Sequence, residues 1–169
     1  FPNAPAIPVT INQGYVMPAW YDILEMSLER KIDTAQIEQS ASSIRALIAQ
    51  ENERGVPSEH IVIAGFSQGG AVAYQTALSY DKPLAGLLTL STYLATKDSL
   101  VLSDANKNLK IAIHHGTQDP VVPVQLGQEA KAWLESKGYQ PQFYSYPMAH
   151  QVCMPQLKII GKWLNDVLA

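Results

Sequence analysis

Serine, aspartate and histidine occur in this chain in an order and in local settings suited to nucleophilic acyl transfer. Ser67 lies in Gly65-Phe66-Ser67-Gln68-Gly69, directly after the apolar run His60-Ile61-Val62-Ile63-Ala64 and directly before the helix-favouring run 70–78. That pattern reads as strand, tight turn and helix with a serine at the apex, the arrangement called a nucleophile elbow. The turn forces the serine into a strained backbone conformation. The flanking glycines are expected because a Cβ at 65 or 69 would crowd the neighbouring strand and helix. The helix N-terminus beneath Ser67 favours developing negative charge.

A serine hydroxyl needs a base, and the base needs an acid to orient it. The chain has four histidines. His60 precedes Ser67, and His114 and His115 sit together in an apolar strand. His150 lies in Tyr146-Pro147-Met148-Ala149-His150-Gln151, just after the strand-like 142–146. A loop at the C-terminal end of a strand is where an open α/β sheet presents reactive groups. Asp119 occupies the equivalent place after the strand 110–114, and Pro120 restricts it to an extended conformation suited to a presented carboxylate. Asp81, Asp98 and Asp104 also fall between Ser67 and His150, but none follows a buried strand. Cys153, at the start of a helix, has neither an elbow nor a second histidine to serve it and reads as a buried structural thiol. His114 and His115 are adjacent in a strand and point to opposite faces, so they do not share a metal, and no metal site is expected. His115 is expected to pack near the Asp119 loop.

The elements that would carry these residues alternate. Asp33 opens a helix with Gln36 three residues on, as in a capping box, and Ile37, Ala41, Ile44 and Ile48 follow at helical spacing up to Gly55. Strand 60–64 and the elbow helix come next, then strand 84–90, an irregular stretch 91–108 and strand 110–115. Helix 124–137, strand 141–146 and helix 154–168 complete the order. Such alternation predicts an α/β fold, a mostly parallel sheet with helices on both faces, as a single domain over 1–169. The first thirty residues contain Pro2, Pro5, Pro8 and Pro18 and read as an ordered loop over the site, since Val16, Met17, Trp20 and Tyr21 are too apolar for solvent.

With these segments in hand, the chain resembles the carboxylesterase and acyl-protein thioesterase family of the α/β-hydrolases, closest to bacterial carboxylesterases. The resemblance is carried by residues 64–71, 115–123 and 146–150, with further similarity at 1–5, 8–10, 19–22 and 90–94. It implies an α/β-hydrolase fold, a Ser67–His150–Asp119 triad, the backbone N–H of Gln68 as an oxyanion donor, and no cofactor. It also implies a preceding strand and a His-Gly-Leu-Gly-type loop with a second oxyanion donor, which are expected to be absent from this chain. Losing one such donor typically costs about 3–4 kcal/mol in the transition state. Trp20, Met17, Phe66, Tyr93, Leu94, Val121 and Val122 are the expected substrate pocket, with Trp20 and Leu94 in loops that the resemblance places over the site.

Composition narrows the partners. The chain has 169 residues, 47% of them hydrophobic, and a formal net charge of −3 without a Lys/Arg cluster. Nucleic acid is therefore not an expected partner, and no run is long enough for a membrane span. The single cysteine excludes an internal disulfide and fits a cytoplasmic protein. The leading functional reading is a serine carboxylesterase of broad specificity acting on short to medium acyl esters. The alternatives are an acyl-protein thioesterase or lysophospholipase, or an inactive truncated fragment or ligand-binding module. The expected partner is a small-molecule ester or thioester, and an uncovered sheet edge would favour a homodimer.

Overall fold

A computed structural model describes residues 1–25 and 31–169. Its centre is a four-stranded parallel sheet in the order β3 (Val62–Phe66), β4 (Gly86–Leu90), β5 (Ile111–Gly116) and β6 (Gln142–Tyr146). Parallel strands covered on both faces should be apolar at successive positions, and the side chains here divide accordingly. Ile63, Leu87, Ile111 and Ile113 meet Ala73, Tyr74, Ala77 and Leu78 of α2 (Gln68–Ser79) and Ala130 and Leu134 of α3 (Val124–Ser136). Ile48 of α1 (Thr34–Glu53) joins the same cluster. On the other face Leu88 and Ala112 meet Ile160 and Trp163 of α4 (Met154–Leu168). Among the described residues no helix is long and apolar enough to cross a membrane.

The expected elements form, with shifted ends. β3 begins at Val62 rather than 60, because residues 58–60 make a 3-10 turn after Pro57. It runs on to Phe66, where pairing with Leu90 carries the strand up to the nucleophile position. The cap of α1 is only half of a capping box. Asp33 Oδ1 accepts from Gln36 N at 3.1 Å, but the Gln36 side chain turns away to accept from Asp22 N at 2.8 Å. That bond ties the N-terminal segment to α1 instead of closing the box.

The N-terminal segment is more than a loop. Ala6–Val9 (β1) and Tyr15–Pro18 (β2) form an antiparallel hairpin, closed by Gln13 and Gly14 at φ 58° and 76°. The prolines argued against strands. They are tolerated because this is a two-stranded ribbon, where a missing N–H need not break a central ladder.

Candidate active site

Ser67 sits between β3 and α2 at φ 53° and ψ −123°, a conformation that L-residues adopt only when their surroundings compel it. Several contacts do so. Ser67 N donates to Leu90 O at 2.9 Å, and Thr92 Oγ1 donates to Ser67 O at 2.6 Å. A Cβ on Gly65 would run into the backbone of Gly69 and Gly70, so the first glycine of the elbow has the expected steric reason. The second does not. A Cβ on Gly69 would meet Trp20 Nε1 at an ordinary 3.6 Å, and it is Gly70 that is pressed against the Thr92 side chain.

From Ser67 a chain of hydrogen bonds leads inward. His150 Nε2 lies 3.0 Å from Ser67 Oγ, and His150 Nδ1 lies 2.7 Å from Asp119 Oδ2. The carboxylate's other oxygen, Oδ1, accepts from Val121 N and Val122 N, each at 2.8 Å. An ionised carboxylate only accepts, so Nδ1 of His150 carries the proton and Nε2 is free to take one from Ser67. The Asp119 side chain is wholly buried and that of His150 is 17% exposed, so the imidazole meets solvent and the carboxylate does not. The Phe66 ring lies against the imidazole, centroids 4.7 Å apart at 47°. Gln68 opens α2, where a backbone N–H has no carbonyl one turn back to bond.

The Gln68 side chain has a separate task. Its Oε1 accepts from Trp20 N and its Nε2 donates to Tyr21 O, both at 3.1 Å. Ser40 of α1 donates to Trp20 O, and Tyr21 OH meets Tyr93 OH at 2.9 Å. The Trp20-Tyr21 segment is thus fixed from the nucleophile helix, from α1 and from the loop after β4. Ser40, Thr92 and the Gln68 amide had no local signature, since each acts on a backbone group 20 to 48 residues away.

The seven residues expected to form one pocket are not gathered into one cavity. Trp20 and Phe66 line a groove of about 430 Å³ with Ile63, Gly65, Val72 and Ala73, along the free edge of β3. Tyr93 and Leu94 line a different groove, of about 940 Å³, against α3. Neither includes Met17, Val121 or Val122. Val122 is 1% exposed and packs with Tyr93 and Leu126, so its side chain belongs to the core while its N–H holds Asp119. Val121 is 39% exposed beside Asp119, and Met17 is half-buried in β2 with its sulfur 3.1 Å from Asn12 Nδ2. Cys153, expected to be buried, is half-buried at the cap of α4.

His114 faces away from this chain of residues. It is fully buried, stacked between Tyr144 and Tyr146, with Nδ1 2.8 Å from Tyr146 OH. Burial holds its pKa down to about 4. Between about pH 6.5 and 4 the unfolded chain binds a proton at this site that the folded chain refuses, so stability falls as pH falls through that window. The loss should total on the order of 3 kcal/mol. Urea titrations from pH 7 to pH 4 on the parent and on His114→Gln check this, the variant showing the shallower decline.

Residues 1–168 match the family described as Phospholipase/Carboxylesterase. The chain is 38% identical to acyl-protein thioesterase 1 of Neurospora crassa, an alignment covering 99% of this chain and 72% of that protein. It is 36% identical to acyl-protein thioesterase 1 of Mycosarcoma maydis, over 99% and 76%. The crystal structure of Arabidopsis thaliana SOBER1 superposes with a TM-score of 0.92 at 32% identity, covering all of this chain and 83% of that one. The carboxylesterase of Bacillus cereus, at 18% identity and a TM-score of 0.76 over 89% of this chain and 69% of that one, shares the fold. The chain belongs to the phospholipase/carboxylesterase family of α/β-hydrolases and is a serine hydrolase of the ester-hydrolase class.

Proposed function

We propose that the protein is an acyl-thioesterase of the acyl-protein thioesterase type, cleaving acyl thioesters through an acyl-enzyme on Ser67. The observation that carries this is the 35–38% identity to three fungal acyl-protein thioesterases over 99% of the chain. It reverses the order of the expectations from sequence, which put a broad-specificity carboxylesterase of short to medium acyl esters first. Apolar residues around a serine suit either substrate, so they did not discriminate.

In this mechanism His150 Nε2 takes the Ser67 proton as Oγ attacks the acyl carbonyl. The Gln68 N–H, at the positive end of α2, faces the oxyanion of the tetrahedral intermediate. Buried Asp119 keeps the imidazole in its Nδ1–H form and stabilises it once protonated. The proton then passes to the leaving thiol or alcohol, and water activated by the same histidine releases the acid. Phe66, whose ring lies against the His150 imidazole, is the proposed first contact of the acyl chain.

Rates on a matched series of acyl thioesters and p-nitrophenyl esters, from two to sixteen carbons, test the assignment. Each methylene entering an apolar groove contributes about 0.8 kcal/mol, or about fourfold in kcat/KM. The proposal expects kcat/KM to climb with chain length and to favour the thioester at equal length. A maximum at two to four carbons with the ester preferred would overturn it in favour of a short-chain carboxylesterase.

A further inference from the structure

His115 ends in the space beneath the Asp119 loop and takes no part in the mechanism as described. It is fully buried, near the C-terminal end of β5. Its Nε2 lies 2.8 Å from Val122 O and 3.9 Å from Asp119 Oδ2. A carbonyl accepts only, so Nε2 is the protonated nitrogen and Nδ1 is bare. Nδ1 has no hydrogen-bond partner among the described residues. What lies against it is Gly127 of α3, where any Cβ would overlap the imidazole. Burial lowers the pKa of His115, the effect opposed by Val122 O and by the Asp119 charge, with His150 acting in the same direction as burial. Burial thus favours the neutral ring, in which one nitrogen donates and the other is a plain packing surface.

Val122 is consequently held on both sides. Its carbonyl accepts from His115, and its N–H donates to Asp119 Oδ1 alongside that of Val121. Those two N–H groups decide which carboxylate oxygen is left for His150. A peptide free to rotate at Val122 would let the carboxylate swing, and the 2.7 Å contact with His150 Nδ1 would lengthen.

We propose that His115 is a positioning residue for the acid of the triad, a neutral imidazole strut braced on Gly127 that fixes Val122 and thereby aims Asp119 at His150. The inference rests on the acyl-transfer reading above, but its central measurement needs no substrate. The proton between His150 Nδ1 and Asp119 is followed as a far-downfield resonance in the proton NMR spectrum of the whole chain.

Three variants are compared with the parent: His115→Met, which fills the space without a donor; His115→Gln, whose amide nitrogen reaches the same carbonyl; and Gly127→Ala, which keeps the imidazole but displaces it. Thermal melts establish that each is folded. The expected result is a downfield resonance shifted upfield or broadened in His115→Met and Gly127→Ala and restored in His115→Gln. Where turnover is measurable, kcat falls about tenfold in His115→Met and Gly127→Ala with KM little changed, the cost of one lost hydrogen bond expressed in the transition state. Equal spectra and equal kcat in His115→Met and His115→Gln would overturn the proposal and leave His115 a packing residue. If His115→Met does not fold, a parent-like resonance in Gly127→Ala has the same force. A chain that hydrolyses nothing but shows the expected spectral series would refute the function and leave the strut standing.

Discussion

Replacing Ser67 with alanine should lower kcat by about a million-fold, close to the loss of the whole catalytic unit. The magnitude follows from what the substitution leaves. The Gln68 N–H, the groove and the His150–Asp119 pair remain, but no atom is placed to attack. The remaining rate comes from water held against the same donors. The fold should barely notice. The hydrogen bonds that hold the elbow reach the backbone of residue 67, from its N–H to Leu90 and to its carbonyl from Thr92, and alanine keeps both. Two measurements check the result together: initial rates on the best thioester, and intact mass after a fluorophosphonate probe. A single adduct on the parent and none on Ser67→Ala is expected, at an unchanged melting temperature. Parent-like turnover in Ser67→Ala would remove the mechanism.

Asp119→Asn should cost about ten-thousand-fold in kcat. The direction is dictated by the two amides at the head of the loop. Val121 N and Val122 N both donate to Oδ1, so an asparagine must leave its oxygen there and turn its NH2 to the position of Oδ2. That NH2 then faces His150 Nδ1, 2.7 Å away in the parent, and donates to it. The imidazole is driven into the Nε2–H form, whose hydrogen points at Ser67 Oγ and cannot accept its proton. The variant should fold normally and bind acyl product as the parent does, so the loss falls on kcat rather than KM. Raising pH should recover little, because the fault is a tautomer and not a charge state. A loss of less than tenfold would mean that Asp119 does not set the tautomer.

Much of this was visible in the order of residues because the decisive features are local. Strands β3 to β5 announce themselves as apolar runs and β6 as a segment rich in aromatics, and Ser67, Asp119 and His150 lie just beyond the ends of β3, β5 and β6. The features that escaped depend on contacts distant in sequence or on competing local signals. Pro8 and Pro18 spoke for a loop, while the pairing of Pro8 with Val16 and of Pro18 with Ala6 makes a hairpin. Gly69 and Gly70 are indistinguishable on paper, and only the approach of Thr92 shows which of them is sterically required. Val122 was grouped with the pocket because it is apolar and next to the acid. Tyr93, from the loop after β4, packs on it together with Leu126 of α3 and draws it into the core. The Gln68 amide reads as a polar residue after a nucleophile until Trp20 and Tyr21 are seen against it.

The parallel sheet also sets when this chain can become an enzyme. His150 and Ser67 are 83 residues apart, and between them lie three strands, β4, β5 and β6, that must each be laid against the preceding one by a crossover. Every such pairing closes a long loop before any contact rewards it, which places the sheet among the slower topologies to form. The elbow can be shaped early, from β3, α2 and Leu90, yet an elbow alone hydrolyses nothing. Competence arrives only when β6 docks on β5 and brings His150 over. Regained turnover after dilution from denaturant therefore reports the docking of β6 on β5, which helix signals do not. A chain still being assembled is chemically silent toward the acyl groups around it.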